Sequence, residues 1–236
     1  MFTLTVENIA TLLVDGSTIF LLIGVLTQTY IMRKRGRLDD RLFFILIILN
    51  IIIAVSDIIT YLSDEKTFYG ARYFNLGGVS VFYIALVLLC LLWLRYCIIR
   101  FGRRRAGIRI PTAVILIPGF ITEIMLLINL FTGLIFSVDG SNVYHRGILF
   151  VPMFIVMGLY VFSGFYIIAT YKSADGRRNM IPVWIYMLPL VVGIVVPFVI
   201  GGISLTSIGV AMSLLFTHAG SESEIVNTVF GKEGII

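Results

Sequence analysis

Charge is scarce in this chain: charged residues make up 13% of its 236 positions, about half of what a soluble globular domain carries. Cysteine is nearly absent. Cys90 and Cys97 are the only two, and seven residues apart on one helix they share a face and cannot bridge to each other. A disulfide-stapled fold is excluded. Histidine is equally rare, with only His145 and His218, so an HExxH zinc protease is excluded. No GxSxG nucleophile elbow occurs, no CxxC or Cys/His cluster suits a metal, and no lysine lies deep in an apolar run to hold a retinal. The chain is read as carrying no catalytic apparatus and no cofactor.

What fills the sequence is hydrocarbon. Apolar residues reach 59% and the mean hydropathy is +1.03. Seven apolar stretches stand out: Thr11–Met32, Leu42–Leu62, Phe74–Phe101, Ile110–Thr132, Ile148–Tyr171, Ile181–Ile200 and Ser204–Thr217. Most meet the ~20 residues a helix needs to cross ~30 Å of hydrocarbon; the last is short. The expected fold is all-α, a polytopic seven-helix bundle over residues 1–218, with a cytoplasmic tail over 219–236.

Basic residues crowd into every second gap. Arg33, Lys34, Arg35, Arg37 and Arg41 fill the first, Arg100, Arg103, Arg104, Arg105 and Arg109 the third, and Lys172, Arg177 and Arg178 the fifth. The second and fourth gaps hold only Lys66, Arg72 and Arg146, and the sixth holds none. Basic residues favour the cytoplasmic side of short loops, so the N-terminus is expected outside and the C-terminus inside. Arg33 and its neighbours follow the first apolar run, opposite to a cleavable signal peptide, so that helix is expected to be retained. The net charge of +5 follows from these loops beside the membrane and is not read as nucleic-acid binding.

Polar groups inside the apolar runs invite attention, because hydrocarbon penalises them. Asp57 and Glu123 fall at similar depths in the second and fourth spans. Either they line a pocket open to the outside, or they make helix–helix hydrogen bonds. Asn50, Asn129 and Ser163 read as interhelical hydrogen-bonding groups. Arg95 reads as a cation snorkelling from the third span. The thiols read as helix-interface residues, with acylation of Cys97 as the other reading.

The fourth gap is the most distinctive: Phe136-Ser137-Val138-Asp139-Gly140-Ser141-Asn142-Val143-Tyr144-His145-Arg146-Gly147. Asp139-Gly140 between two short β-favouring runs predicts a hairpin with a tight turn. Beyond it Tyr144, His145 and Arg146 offer an aromatic plane, a titratable ring and a permanent cation. They suit an anionic or polar ligand, or a structural lid.

Asn142-Val143-Tyr144-His145-Arg146-Gly147 resembles the Asn-x-Tyr-x-Arg-Gly signature in the outer loop of seven-helix sensor modules that precede bacterial diguanylate cyclase-type (GGDEF) domains. Trp93-Leu94-Arg95-Tyr96 is similar to that group as well, as is the run Pro197, Gly201, Gly202 leading to Gly209 and Ser213-Leu214-Leu215. The tail Glu224–Ile235 resembles the stretch Asp-x-Leu-Thr-Gly-Leu-Phe-Asn-(Lys/Arg)-Glu-Gly-Phe that opens many cyclase domains. Glu224 replaces its Asp, Asn227-Thr228 its Thr-Gly and Gly231 its Asn. The resemblance implies a sensory module in the bacterial inner membrane. Asp57, Glu123, Asn142, Tyr144, His145 and Arg146 are then the candidate ligand residues, for an unidentified small molecule at the outer face. It also implies a cytoplasmic output domain or partner, linked to cyclic-di-GMP signalling. Membrane lipids and a second copy of the chain are the other expected partners. The rival reading is a small ion- or proton-coupled transporter.

Overall fold

The computed structural model describes residues 6–32, 38–101, 112–170, 187–193 and 204–230. Within them the chain is helical apart from one small hairpin and short connections. The order is α1 (Val6–Met32), α2 (Leu38–Ser63), α3 (Ala71–Phe101), α4 (Thr112–Thr132), β1 (Phe136–Val138), β2 (Tyr144–Arg146), α5 (Phe150–Ala169), α6 (described over 187–193) and α7 (Thr206–Phe230). Among the described residues four helices are long and apolar enough to cross a membrane: Asn8–Tyr30, Leu38–Ser63, Ala71–Phe101 and Phe150–Ala169. Leu116–Thr132 and Thr206–Thr217 are shorter apolar helices.

Large apolar side chains coat the outside. Phe20, Phe120 and Phe131 are 82%, 67% and 92% exposed. Such a coat is unfavourable in water and natural in lipid. This is an all-α membrane protein.

α3 is the hub. It packs on α2, α4 and α5, and β1 rests on it, while α2 also carries α1 and α7. The core runs along α3 through Tyr83, Leu86, Cys90, Trp93, Tyr96 and Cys97. Both thiols are buried, Cys97 completely, and Cys97 faces Gly164 of α5. They are interface residues, and the acylation reading of Cys97 fails because its sulfur has no exposure. Arg95 points outward from α3, as a snorkelling side chain would.

Glycines set the closest approaches. Without an interhelical hydrophobic effect in lipid, small residues let backbones meet and gain dispersion contacts. A Cβ on Gly209 of α7 would lie 2.6 Å from the Pro189 carbonyl oxygen and 3.0 Å from Gly193 Cα of α6. In α4, Pro118 has no amide hydrogen and disturbs the local helix ladder. The next amide, Gly119 N–H, donates to the Tyr160 hydroxyl of α5 at 2.6 Å.

Opposite the hairpin, Arg100 of α3 donates to Asp39 of α2 at 2.5 Å, and both side chains are almost fully covered. Asp39 lies in the first turn of α2, where the helix dipole also favours a carboxylate.

The seventh apolar run ends at Thr217, while its helix, α7, continues through Phe230, past the expected boundary at 218/219. Two expectations change. Ser163 faces outward instead of bonding between helices. Asn129 bonds to the hairpin rather than to another helix. The sixth expected span is described only over 187–193, while 33–37, 102–111, 171–186 and 231–236 lie outside the described residues, along with most of the basic gaps and Pro197, Gly201 and Gly202.

Gly209→Val should force α6 and α7 apart and cost about 1–3 kcal/mol of overpacking. Thermal unfolding in detergent checks it: the variant should melt below wild type, and an exposed control such as Leu159→Val should not.

Candidate functional site

The six candidate ligand residues divide between three places. Asn142, Tyr144, His145 and Arg146 belong to the hairpin, Asp57 to a polar cluster between α1, α2 and α7, and Glu123 to α4.

The hairpin is antiparallel, pairing Phe136 with Arg146, Ser137 with His145 and Val138 with Tyr144. Its connection is not the expected tight Asp-Gly turn. It is a five-residue loop, 139–143, whose left-handed residue is Asn142 at φ 65°, not Gly140. The Asp139 carboxylate sets this shape. It accepts from the Ser141 and Val143 amides, both at 2.9 Å, and from the Ser141 hydroxyl at 2.8 Å. A tight turn would forgo these bonds. His145 Nε2 also reaches Asp139, at 3.0 Å. The Val143 amide, then His145 and Ser141, hold the Asp139 carboxyl well below its ordinary value of 3.8.

Asn142 is a fastener. Its side-chain amide donates to the Ser63 carbonyl at 2.6 Å and the Lys66 carbonyl at 3.0 Å. Its own oxygens accept from Asn75 Nδ2, which also donates to Asp64 at 2.8 Å. The Glu65 amide adds a bond to the Asn142 carbonyl at 3.0 Å. The hairpin is thereby sewn to the α2–α3 connection. Arg72 ties it again through the Val138 carbonyl at 3.1 Å.

Tyr144 is the other anchor. Its hydroxyl lies 2.9 Å from that of Tyr83 on α3, and burial pushes it above its ordinary value. Tyr83 meets Phe136 at 5.4 Å and Phe150 at 5.8 Å between ring centroids, and the Arg146 guanidinium sits 5.0 Å over Phe150. Gly147 follows because nothing larger fits: a Cβ there would lie 2.1 Å from the Leu134 carbonyl oxygen. The residues that carry the sequence signature thus make a fitted cap on the bundle. His145 and Arg146 are its exposed members.

Asp57 is buried at 7% exposure, beside the side chain of Ser204. Beside it stands Asp15 of α1, fully buried and close enough to Asp57 for their charges to repel. Ser207, in the first turn of α7, donates its hydroxyl to Asp15 Oδ1. Asn50 of α2 donates to the Ser207 carbonyl at 3.1 Å, and the Ser204 amide donates to Thr11 at 3.4 Å. Two carboxylates, an amide and three hydroxyls, from α1, α2, the start of α7 and Ser204 just before it, therefore form one run of interior polar groups. Asp15 escapes the sequence reading, although Thr11, Asp15 and Thr18 at i, i+4 and i+7 mark one polar face in an apolar run.

Glu123 joins neither group. α4 packs chiefly on α3 and α5, and Glu123 is half-buried there, its Oε1 covered and without a hydrogen-bond partner. Asp57 and Glu123 lie on different interfaces, not on one shared pocket.

No family profile, curated protein or solved structure matches this chain, so its own geometry has to carry the reading. Asn142→Gly keeps the left-handed backbone and removes the side-chain bonds. It should cost about 1–3 kcal/mol for the exposed or orphaned partners, with faster hydrogen exchange at Glu65. Asn142→Ala adds backbone strain and should cost more. In the loop the pH dependence has a defined sign. Asp139 has a depressed folded value, so its stabilisation is present above its ordinary value and lost as pH falls through the lower one. Amide protection at Ser141 and Val143 should hold from neutral pH to about pH 4, and Asp139→Asn should abolish that plateau. Loss of protection near pH 6 would contradict the assignment.

Proposed function

We propose that the chain is a seven-span sensory module of a bacterial inner membrane, with its N-terminus outside and its C-terminus in the cytoplasm. One observation carries this reading. α7 is unbroken from Ser207, which touches the buried Asp15, to Phe230, thirteen residues beyond its apolar part. A helix transmits rotation and translation along its length, and an interior polar contact at one end biases its position at the other. The alternation of basic gaps supports the orientation, and the cap formed by the hairpin supports an outer face closed over the bundle. A cue acting on the outer half would move α7, and the tail would present that change to an output domain or partner. The sequence resemblance points to cyclic-di-GMP signalling as the output.

A second reading has its own support. Two buried carboxylates facing each other inside apolar helices are also what an ion- or proton-coupled transporter needs. Ion flux in proteoliposomes containing the purified chain separates the two: the sensory reading expects none.

Reporter fusions after Lys34, Arg104, Arg178 and Ile236 should report the cytoplasm, and those after Lys66 and Arg146 the outside. An inside signal at Arg146 would overturn the seven-span arrangement. For transmission, Ser207→Ala should alter hydrogen exchange in the backbone of 218–230, and inserting two glycines after Thr217 should cancel that effect. Unchanged exchange in folded Ser207→Ala protein would remove the coupling.

A further inference from the structure

Between α2 and α3, toward the hairpin end of the bundle, lies a groove of about 400 Å³. That volume falls within the ~300–1,000 Å³ of small-molecule sites. Two neighbouring glycines of α3 make it. Gly78 seats the helices together: a Cβ there would lie 2.7 Å from the Thr60 hydroxyl oxygen of α2. Gly77 lines the groove, and a Cβ there would meet nothing within 4 Å. The α2 wall carries Ile52, Val55 and Ile59, and the α3 wall carries Tyr73, Phe74 and Val81. All six side chains are exposed. The groove therefore opens sideways, and its walls continue the apolar coat through which this membrane protein meets lipid.

The chemistry of the groove selects hydrocarbon. Apart from the Tyr73 phenol at one end, its single polar side chain is Ser56. The Ser56 hydroxyl already donates to the Ile52 carbonyl at 2.7 Å, so it offers no hydrogen to a polar ligand. The dimensions select a single chain. At 1.5 Å per residue, the walls from Ile52 to Ile59 and from Tyr73 to Val81 run about 10–12 Å along the helix axes. The hydrocarbon of one leaflet is about 15 Å deep, half of the ~30 Å core. A helix with its side chains is about 10–12 Å across, and a piece of that length fills roughly 1,000 Å³. A helix of a second copy could lie over this groove but not in it; an extended acyl chain fits inside. Tyr69 and Tyr73 stand exposed at the start of α3, and tyrosines at a span's end sit at headgroup level. The groove thus begins at the headgroups and runs into the membrane.

We propose that the α2–α3 groove holds one acyl chain of a membrane phospholipid, its head beside Tyr73 and its chain passing Gly77 toward Val81. Lipid tails are as apolar as these walls, so the hold is dispersion contact from two sides and a glycine floor. A convex helix face offers contact from one side only. Occupancy is independent of what α7 transmits: a chain that holds the lipid and signals nothing keeps this proposal and loses the sensory reading.

The test places the purified full chain in phosphatidylcholine nanodiscs containing some phosphatidylcholine with a diazirine on one acyl chain. After irradiation, labelled residues are mapped by mass spectrometry. Label should concentrate on 51–59 and 73–81, well above the face of α5 formed by Ile155, Leu159 and Phe162, which is as apolar and as exposed. Gly77→Leu fills the groove. Its side chain enters open space and leucine suits a helix better than glycine, so the variant should fold, and label on both segments should fall several-fold. Gly24→Leu, at an equally open glycine of α1, should leave the pattern unchanged. Equal labelling of the groove and the α5 face overturns the proposal, since it shows only the lipid that surrounds any membrane protein. Undiminished label in folded Gly77→Leu overturns it too. If oxidised Val55→Cys protein links two copies through that residue while the groove takes no lipid label, a second copy covers it and the proposal falls.

Discussion

A polar group buried among apolar helices has to find its partner inside the bundle, and in this chain that requirement decides which helices meet. Hydrocarbon contributes little to the choice, because lipid tails and leucine side chains are equally apolar. The polar contacts are therefore the specific ones. Ser207 with Asp15 and Asn50 brings α7 onto α1 and α2. Tyr160 with Gly119 brings α5 onto α4, and Arg100 with Asp39 fastens α3 to α2. Close-packed glycines then let the chosen pairs approach.

The two ends of the bundle solve the same problem differently. At the hairpin end the α2–α3 connection and the 139–143 loop are tied by side-chain amides and carboxylates. Asn142, Asn75 and Asp64 form one connected network with the backbone of 63–66. Just inside, the interior cluster leaves acceptors open. A satisfied network rigidifies, and buried acceptors left without partners are costly. The contrast separates a cap that is tied throughout from an interior cluster that is not, although both are polar.

Helix existence was legible because hydrocarbon demands long apolar runs, and length alone finds them. Partners were less so. Asp57 and Glu123 share a depth, but depth does not specify azimuth, and the helices place them on different interfaces. Asp15 stood in plain view in the first span and was outweighed by its surroundings. The continuation of α7 beyond its apolar part was not legible for a local reason: His218 to Glu224 is polar and contains Gly220, which hides a helix that continues through it. The Asp-Gly rule for tight turns failed because it weighs backbone conformation and ignores the Asp139 carboxylate, which does better by collecting the Ser141 and Val143 amides.

The two cysteines carry a practical consequence. Cys90 and Cys97 are the only thiols in the sequence, and both are sealed within the α3 core. Maleimide and spin-label reagents need an accessible sulfur, so the native chain is close to a silent background for them. A single cysteine placed at exposed Gly140, or along the outer face of α5, would be the one sulfur that reacts. Distances and accessibilities in this protein are thus measurable by label chemistry without first rebuilding its core.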